Sequence, residues 1–312
     1  MSVVYFLLSF DMYNEITSNK RKSIFLAMLF VAIIVLLGWF FDRIYGGGRG
    51  YGGMTLAILI ALIMTAISYF SGDKIALSVS GAKEIQHDDN KYLFHLVENL
   101  CLAAGTPLPK IYLIPDPAIN AFATGRDPAH ASIAVTEGAL QKLTNEELEG
   151  VIAHELSHVK NYDIRFMMLV AVMVGAIAIF ADIMLRSGGF IRGGKNKDSQ
   201  GGSQLFAILM VVGIILAILS PLIAELIKLA ISRKREYLAD ASGALLTRYP
   251  EGLASALEKI NLDNLPMKKT SSATAHLFIA NPFKGGRKKI SALFSTHPPI
   301  EERIQKLRTM GV

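Results

Sequence analysis

The stretch Val151-Ile152-Ala153-His154-Glu155-Leu156-Ser157-His158 decides how this chain is read. Around it, Leu148, Val151, Ile152, Leu156 and Val159 recur at the spacing of one helix face. Just before it, Thr144 and Glu147 stand three apart, the pairing of a capping box. The stretch is expected to be helical, and residues four apart on a helix share a face. His154 and His158 can then point at one metal ion, with Glu155 in reach of a water on it. Imidazole nitrogens suit zinc, and a catalytic zinc keeps one position open for water. Such a water is acidic, and a carboxylate can take its proton for attack on a peptide carbonyl. The plain alternative is two surface histidines on an ordinary helix, because so short a pattern also arises by chance.

A zinc held by two histidines needs one more protein ligand. Downstream the chain reads Ser232-Arg233-Lys234-Arg235-Glu236-Tyr237-Leu238-Ala239-Asp240. Glu236 and Asp240 are again four apart. Glu236 is the candidate third ligand. Asp240 is the candidate to accept a hydrogen bond from a ligand histidine and so fix its tautomer. Alone, these acids beside Arg233, Lys234 and Arg235 would read as a solvated helix end. In the same chain as His154 and His158, the metal reading is the stronger one.

Composition places this site beside a membrane. Of 312 residues, 52% are hydrophobic and only 19% charged, which is too apolar for a typical soluble protein. Mean hydropathy is +0.39. A net charge of +6 is modest and sits at the ends of apolar runs, which suits membrane anchoring and excludes a nucleic-acid footprint. Lys20, Arg21 and Lys22 precede an apolar run from Ile24 to Phe41, long enough to span at ~1.5 Å per residue. Trp39, Phe40 and Phe41 fit an interfacial aromatic belt. Arg43 to Gly53 is glycine-rich but lacks the Gly-Lys-Ser/Thr of a phosphate loop. It reads as a hairpin turn into a second span, Met54 to Phe70. A third apolar run covers Phe166 to Leu185 and a fourth Leu205 to Ile231, interrupted by Pro221 and Glu225. Between them, 187–203 is a linker rich in Gly, Lys and Ser, expected to be mobile.

The expected organisation is therefore an N-terminal segment 1–23, a membrane hairpin 24–70, a first catalytic part 71–165, a second hairpin 166–231 and a second catalytic part 232–312. Residues 1–10 read as a short interfacial helix and carry no secretory pattern. In the first catalytic part, Lys91 to Ala104 reads as an amphipathic helix ended by Gly105, with Lys110 to Ile114 and Ser132 to Val135 as short strands. The single cysteine, Cys101, precludes an intrachain disulfide and reads as core. Two crossings between the motifs return the chain to its starting side, so the ligands can meet. Basic residues flank spans one and four, whereas the first hairpin loop carries only Arg43 and Arg49. By the positive-inside rule both termini and the site are cytoplasmic. Arg186, Arg192, Lys195 and Lys197 in the third loop weaken that bias.

Taken together these residues resemble the HtpX-type membrane-bound zinc metalloproteases, relatives of the CAAX prenyl proteases. The matching stretches are Asn120 to Gly125, Ala153 to His158 with Asp163, Ser232-Arg233 with Arg235 to Asp240, His276 to Pro282, and Ser295 to Arg303. The resemblance covers nearly the whole chain and the four-run hydropathy plan; the long 187–203 loop is the main departure. It implies a mainly α integral membrane protein with four transmembrane helices. It also implies an α+β gluzincin-like protease domain with a small edge β-sheet. It implies one Zn2+ per chain, held by His154, His158 and Glu236, with Glu155 as base and with Asp240 and Asp163 behind the ligands. Asn120, Ala121, Phe122 and Ala123 would form an edge strand that holds substrate backbone. The implied work is quality control in the cell membrane, where misfolded or damaged membrane proteins are cleaved on the cytoplasmic side. Self-cleavage in trans and homo-oligomers are further options it raises.

His297, before Pro298-Pro299, could donate to the oxygen of the tetrahedral intermediate or add a zinc ligand. His87, His95, His130 and His276 read as surface or satisfied core residues. Three rival functions are weaker. A CAAX-type processing protease would need a large membrane chamber that four spans are too few to build. A zinc-stabilised scaffold has no use for Glu155. A transporter rests only on Asp182 and Glu225, both near run ends.

Overall fold

The computed structural model describes residues 2–45, 51–175, 233–271, 273–283 and 298–310. The 187–203 loop, the fourth apolar run, Asp182, Glu225 and His297 lie outside them.

Helix α1 (Ser2–Tyr45) is one continuous helix, where the sequence suggested a separate short segment before the first span. Gly38 is its only glycine and it holds no proline, so nothing interrupts it. Helix α2 (Gly52–Ser80) runs ten residues past the expected end at Phe70, until Gly81 stops it in the left-handed region at φ 68°. Asp42 near the end of α1 accepts a hydrogen bond from the Met54 N–H at 2.8 Å and closes the hairpin. Large apolar side chains stay exposed on both helices, among them Phe25, Leu36, Leu59, Ile63 and Phe70. Among the described residues one helix, Met54–Ser80, is long and apolar enough to cross a membrane. The third expected span is described as helix only through residue 175.

The rest is mostly helical with one four-stranded sheet. Its strands are β1 (Lys83–Glu84), β2 (Lys110–Ile114), β3 (Ala121–Gly125) and β4 (Ala131–Thr136), in the order β1-β2-β4-β3. β2 and β4 are parallel, while β1 and β3 run antiparallel to their neighbours. α3 (Lys91–Ala104) ends at Gly105, φ 66°, as its composition suggested. After β4 come the short α4 (Glu137–Lys142) and then α5 (Asn145–Lys160), which carries the His-Glu-x-x-His stretch. α5 begins with the capping box: Glu147 N–H to Thr144 Oγ1 at 3.4 Å and Thr144 N–H to Glu147 Oε2 at 2.7 Å.

α5 does not continue straight into the third apolar run. It breaks at Asn161–Tyr162, with Tyr162 at φ 60°, and a new helix, α6, covers 163–175. No Gly or Pro in the sequence announces this break. Beyond 232 come α7 (Arg233–Thr247), α8 (Pro250–Leu262) and α9 (Ile300–Met310). The main core gathers Leu93 and Val97 of α3, Ile111 and Ile133 of the sheet, Ile152 and Leu156 of α5, and Leu257 of α8. A second cluster joins Leu26 and Phe30 of α1 to Phe166, Leu169 and Val170 of α6.

Candidate active site

Twelve residues of α5, from Glu147 to Val159 save one, are buried, so a polar side chain on it must find partners inside the protein. α7 crosses α5 closely at Gly243, where an added Cβ would lie 3.0 Å from the His154 N. That close approach sets Glu236 and Asp240 against the two histidines. His154 Nε2 and His158 Nε2 are 3.2 Å apart, with their rings perpendicular. Glu236 Oε2 lies 3.9 Å from His154 Nε2, and its Oε1 lies 3.7 Å from His158 Nε2. These ligand-capable atoms all fall within 4.8 Å of one another.

Behind the histidines stand two carboxylates. His158 Nδ1 is 2.9 Å from Asp163 Oδ2. His154 Nδ1 is 3.0 Å from Asp240 Oδ1, an ion-pair distance without hydrogen-bond alignment. With the ring protons on Nδ1, both Nε2 lone pairs face the same point. The break after α5 makes the first of these contacts possible. On a continuous helix a residue five positions on points well away, whereas the Asn161–Tyr162 turn brings Asp163 back over His158.

The electrostatics favour a cation at that point. Asp163, Glu155, Glu236 and Asp240 are all buried, against buried Arg235 and Arg303. The four acids outnumber the two guanidiniums, a surplus that favours a cation there. Burial alone would lower the His158 pKa, yet its Asp163 hydrogen bond and the Glu236, Asp163 and Glu155 charges push it up to about 9. Burial lowers that of His154, against Asp240. Two imidazoles and a carboxylate in a closed setting fit zinc.

Glu155 is held apart from this ligand set. Its Oε2 accepts the Ala123 N–H of β3 at 2.8 Å. Burial pushes its carboxyl up to about 7, against the pull of His158 and with help from Glu236. Asp240, which burial would raise, is held down to about 2 by the Arg303 charge and fork and by His154 close beside it.

Arg303 is the residue that sequence reasoning left without a role. It is fully buried and grips Asp240 with a fork, Nε to Oδ2 at 2.9 Å and Nη2 to Oδ1 at 2.7 Å. Its Nη1 lies 3.7 Å from Glu236 Oε2. A signal was present: Ile300, Arg303, Ile304 and Leu307 form one helix stripe, and an arginine inside a stripe of apolar residues asks for a buried acid.

β3 is an edge strand of the sheet, but its outer side is partly covered by the chain itself. Ile279 N–H donates to the Ala121 carbonyl at 3.0 Å. The Asn120 amide brackets Ala280, giving Nδ2 to its carbonyl at 3.1 Å and taking its N–H on Oδ1 at 3.4 Å. Phe122 stacks edge-on against Phe278, with centroids 4.8 Å apart. Of the other histidines, His276 is buried with Nε2 3.0 Å from the Met167 carbonyl, and His87, His95 and His130 sit at the surface near acids. Cys101 is buried in α3, and burial raises its thiol pKa.

Known proteins are similar to this chain. A protease HtpX homologue from Dictyoglomus thermophilum is 47% identical over 302 residues, covering 97% of this chain and 96% of its own. One from Caldanaerobacter subterraneus is 46% identical over 301 residues, covering 96% and 98%. A crystal structure of S. mikatae Ste24p is also similar, with a TM-score of 0.49 at 19% identity, covering 95% of this chain and 67% of that one. The family model for peptidase family M48 matches residues 87–311, which include every ligand-capable residue of the buried cluster. The chain belongs to peptidase family M48 and is a metalloprotease of the HtpX type.

Proposed function

We propose that this chain is a membrane-embedded zinc endopeptidase that cleaves misfolded or damaged membrane proteins at the cytoplasmic face. The observation that carries the reading is the buried convergence of His154, His158 and Glu236 with Glu155 beside them. Zinc, when bound by those three side chains, supplies a Lewis acid that polarises a peptide carbonyl and acidifies water. Glu155 takes the proton of the attacking water and returns it to the leaving amine. Burial raises its carboxyl above the usual carboxylate range, in the direction an acid–base role needs. Its hydrogen bond from Ala123 ties the base to β3. Asp163 and Asp240 hold the two Nδ1 protons, so each Nε2 keeps its lone pair for the metal. His297 keeps its assignment as donor to the developing charge on the carbonyl oxygen, or as an added ligand.

Substrate backbone pairs with β3 from Ala123 outward. The outer groups of Asn120 and Ala121 are already spent on Ala280 and Ile279, which shortens the stretch first assigned to Asn120–Ala123. By strand alternation the Ala123 carbonyl faces the same outer side as its N–H. Residues 71–165 and 232–312 act as two halves of one catalytic domain, a reading supported by the packing of α5 on α7 and α8. The site is tethered to the bilayer because His158 precedes Phe166, the start of the third apolar run, by eight residues. That tether favours juxtamembrane and loop segments as substrates. Lys20, Arg21 and Lys22 on one side and Arg233, Lys234 and Arg235 on the other support a cytoplasmic site.

The test is casein cleavage by the detergent-purified full chain. A zinc chelator is expected to abolish it and added zinc to restore it; cleavage indifferent to chelation overturns the reading.

A further inference from the structure

Asn19 stands one turn before the first apolar run, on a helix whose expected work is to anchor the chain. An asparagine with no partner there would simply sit in the headgroup layer. Instead it is fully buried. Its Nδ2 donates to the Asn161 carbonyl at 3.0 Å and to Asp163 Oδ1 at 2.6 Å, so both amide protons go to the turn that follows α5. The other oxygen of Asp163, Oδ2, is the one on His158 Nδ1. Asn19, Asp163 and His158 thus form a line of hydrogen bonds from α1 to the metal cluster.

Three further features hold that line in place. Ser23 Oγ donates to the Asn19 carbonyl at 2.8 Å, within buried surroundings. The Lys20 ammonium lies 4.2 Å from the centre of the Tyr162 ring, so consecutive α1 residues engage both sides of the same turn. One turn further, Leu26 packs into the cluster formed with Phe166 and Leu169. Arg235 Nη1, the nearest cation to Asp163 Oδ1, is 3.9 Å away, beyond hydrogen-bond length. Asn19 therefore supplies the short hydrogen bond to that oxygen. A buried carboxylate whose second oxygen lacks a donor is costly and free to rotate, and the histidine it orients would follow it.

We propose that Asn19 is a positioning residue of the metal site: through Asp163 it orients His158, and so couples metal retention to the seating of α1. The inference rests on the metal reading given above. It places a determinant of the site outside residues 87–311, the stretch matched by the model of peptidase family M48.

The test uses the full chain in detergent, loaded with zinc or with cobalt(II). Asn19→Ala is expected to weaken zinc affinity by roughly 10–100-fold, the range for groups that orient metal ligands. It is also expected to shift the visible cobalt absorption, which reports ligand geometry. Asn19→Leu is close in size and removes both donors, so the same changes are expected if the alanine variant folds poorly. In an Asp163→Asn background, Asn19→Ala is expected to add little further loss, because the path is already broken. Thr144→Ala, at the capping box of α5, is the structural control; it should lower the melting temperature and leave the cobalt spectrum alone. Parent-like zinc affinity and cobalt spectrum in both Asn19 variants, even with a lowered melting temperature, overturns the proposal. Glu236→Ala run in parallel separates the two readings. If that variant also binds zinc like the parent, the site reading fails first; if it alone loses zinc, only the role of Asn19 fails.

Discussion

The α1–α2 hairpin and the buried cluster around His154 and His158 break the ordinary rule of burial in opposite directions. On α1 and α2 large apolar side chains such as Phe25, Leu59 and Ile63 are left outside. Between α5, α7 and α9, four carboxylates and two guanidiniums are taken inside. Each would be unfavourable in an ordinary soluble protein, and each is compensated by a different surrounding. On the proposed membrane reading, lipid removes the cost of the exposed apolar faces. Forked hydrogen bonds and ion pairs offset the desolvation of the charges, and on the proposed reading a zinc ion would add to them. Polar substitution should therefore damage the hairpin and spare little of its function, whereas in the cluster the damage should follow the role of each atom.

The sharpest break comes at Glu155. Glu155→Gln is expected to lower turnover by at least ~100–10,000-fold, since the amide cannot take a proton. Zinc content should stay at one per chain, because the three ligands remain. Casein cleavage and metal analysis on the same preparation check it, and unchanged turnover in zinc-replete protein would remove Glu155 as the base.

Asp240→Asn comes next. It leaves His154 with a weaker acceptor and should cost roughly 10–100-fold in zinc affinity. It also leaves the Arg303 charge buried without its carboxylate fork, so the melting temperature should fall as well. A variant with parent zinc affinity would show that Asp240 does not orient the ligand.

On the other side of the comparison, Ile63→Lys places a charge on the exposed face of α2. In lipid this costs ~2.5–3.5 kcal/mol near the middle of a span. Less protein should reach the membrane fraction, with the zinc affinity of what remains unchanged. If the lysine variant is recovered in membranes as fully as the parent, α2 is not facing lipid there.

The smallest effect is expected at the capping box. Thr144→Ala removes one side-chain acceptor at the start of α5 and should cost about 1 kcal/mol of stability. Zinc content and cleavage should not change, since the metal-binding turn lies more than two turns further along. A loss of zinc would mean that the start of α5 sets the site geometry.

Part of this molecule was legible because it depends on short-range spacing. The His154, His158 and Glu155 arrangement, the Glu236–Asp240 pair, the capped start of α5 and the strands β2 and β4 all follow from period and local residue type. The break after α5 was not legible: Asn161–Tyr162 contains no Gly or Pro, and its conformation is stabilised by α1 from more than a hundred residues away. The extension of α2 to Ser80 escaped notice because the apolar run, not the helix, ends at Phe70.

By itself the sequence determined the metal-ligating pattern, the apolar runs, the bounds of α3 and β2 and the capped start of α5, because helical and strand periods act over a few residues. Only the tertiary structure decided that Arg303 clamps Asp240, that Ile279 and Ala280 cover part of β3, and that Asn19 reaches Asp163. Those contacts join residues 63, 158, 160 and 144 positions apart, in that order for Asp240–Arg303, Ala121–Ile279, Asn120–Ala280 and Asn19–Asp163. Over such separations no local period carries information, and burial makes each polar group take whichever partner the packing of distant helices brings within reach.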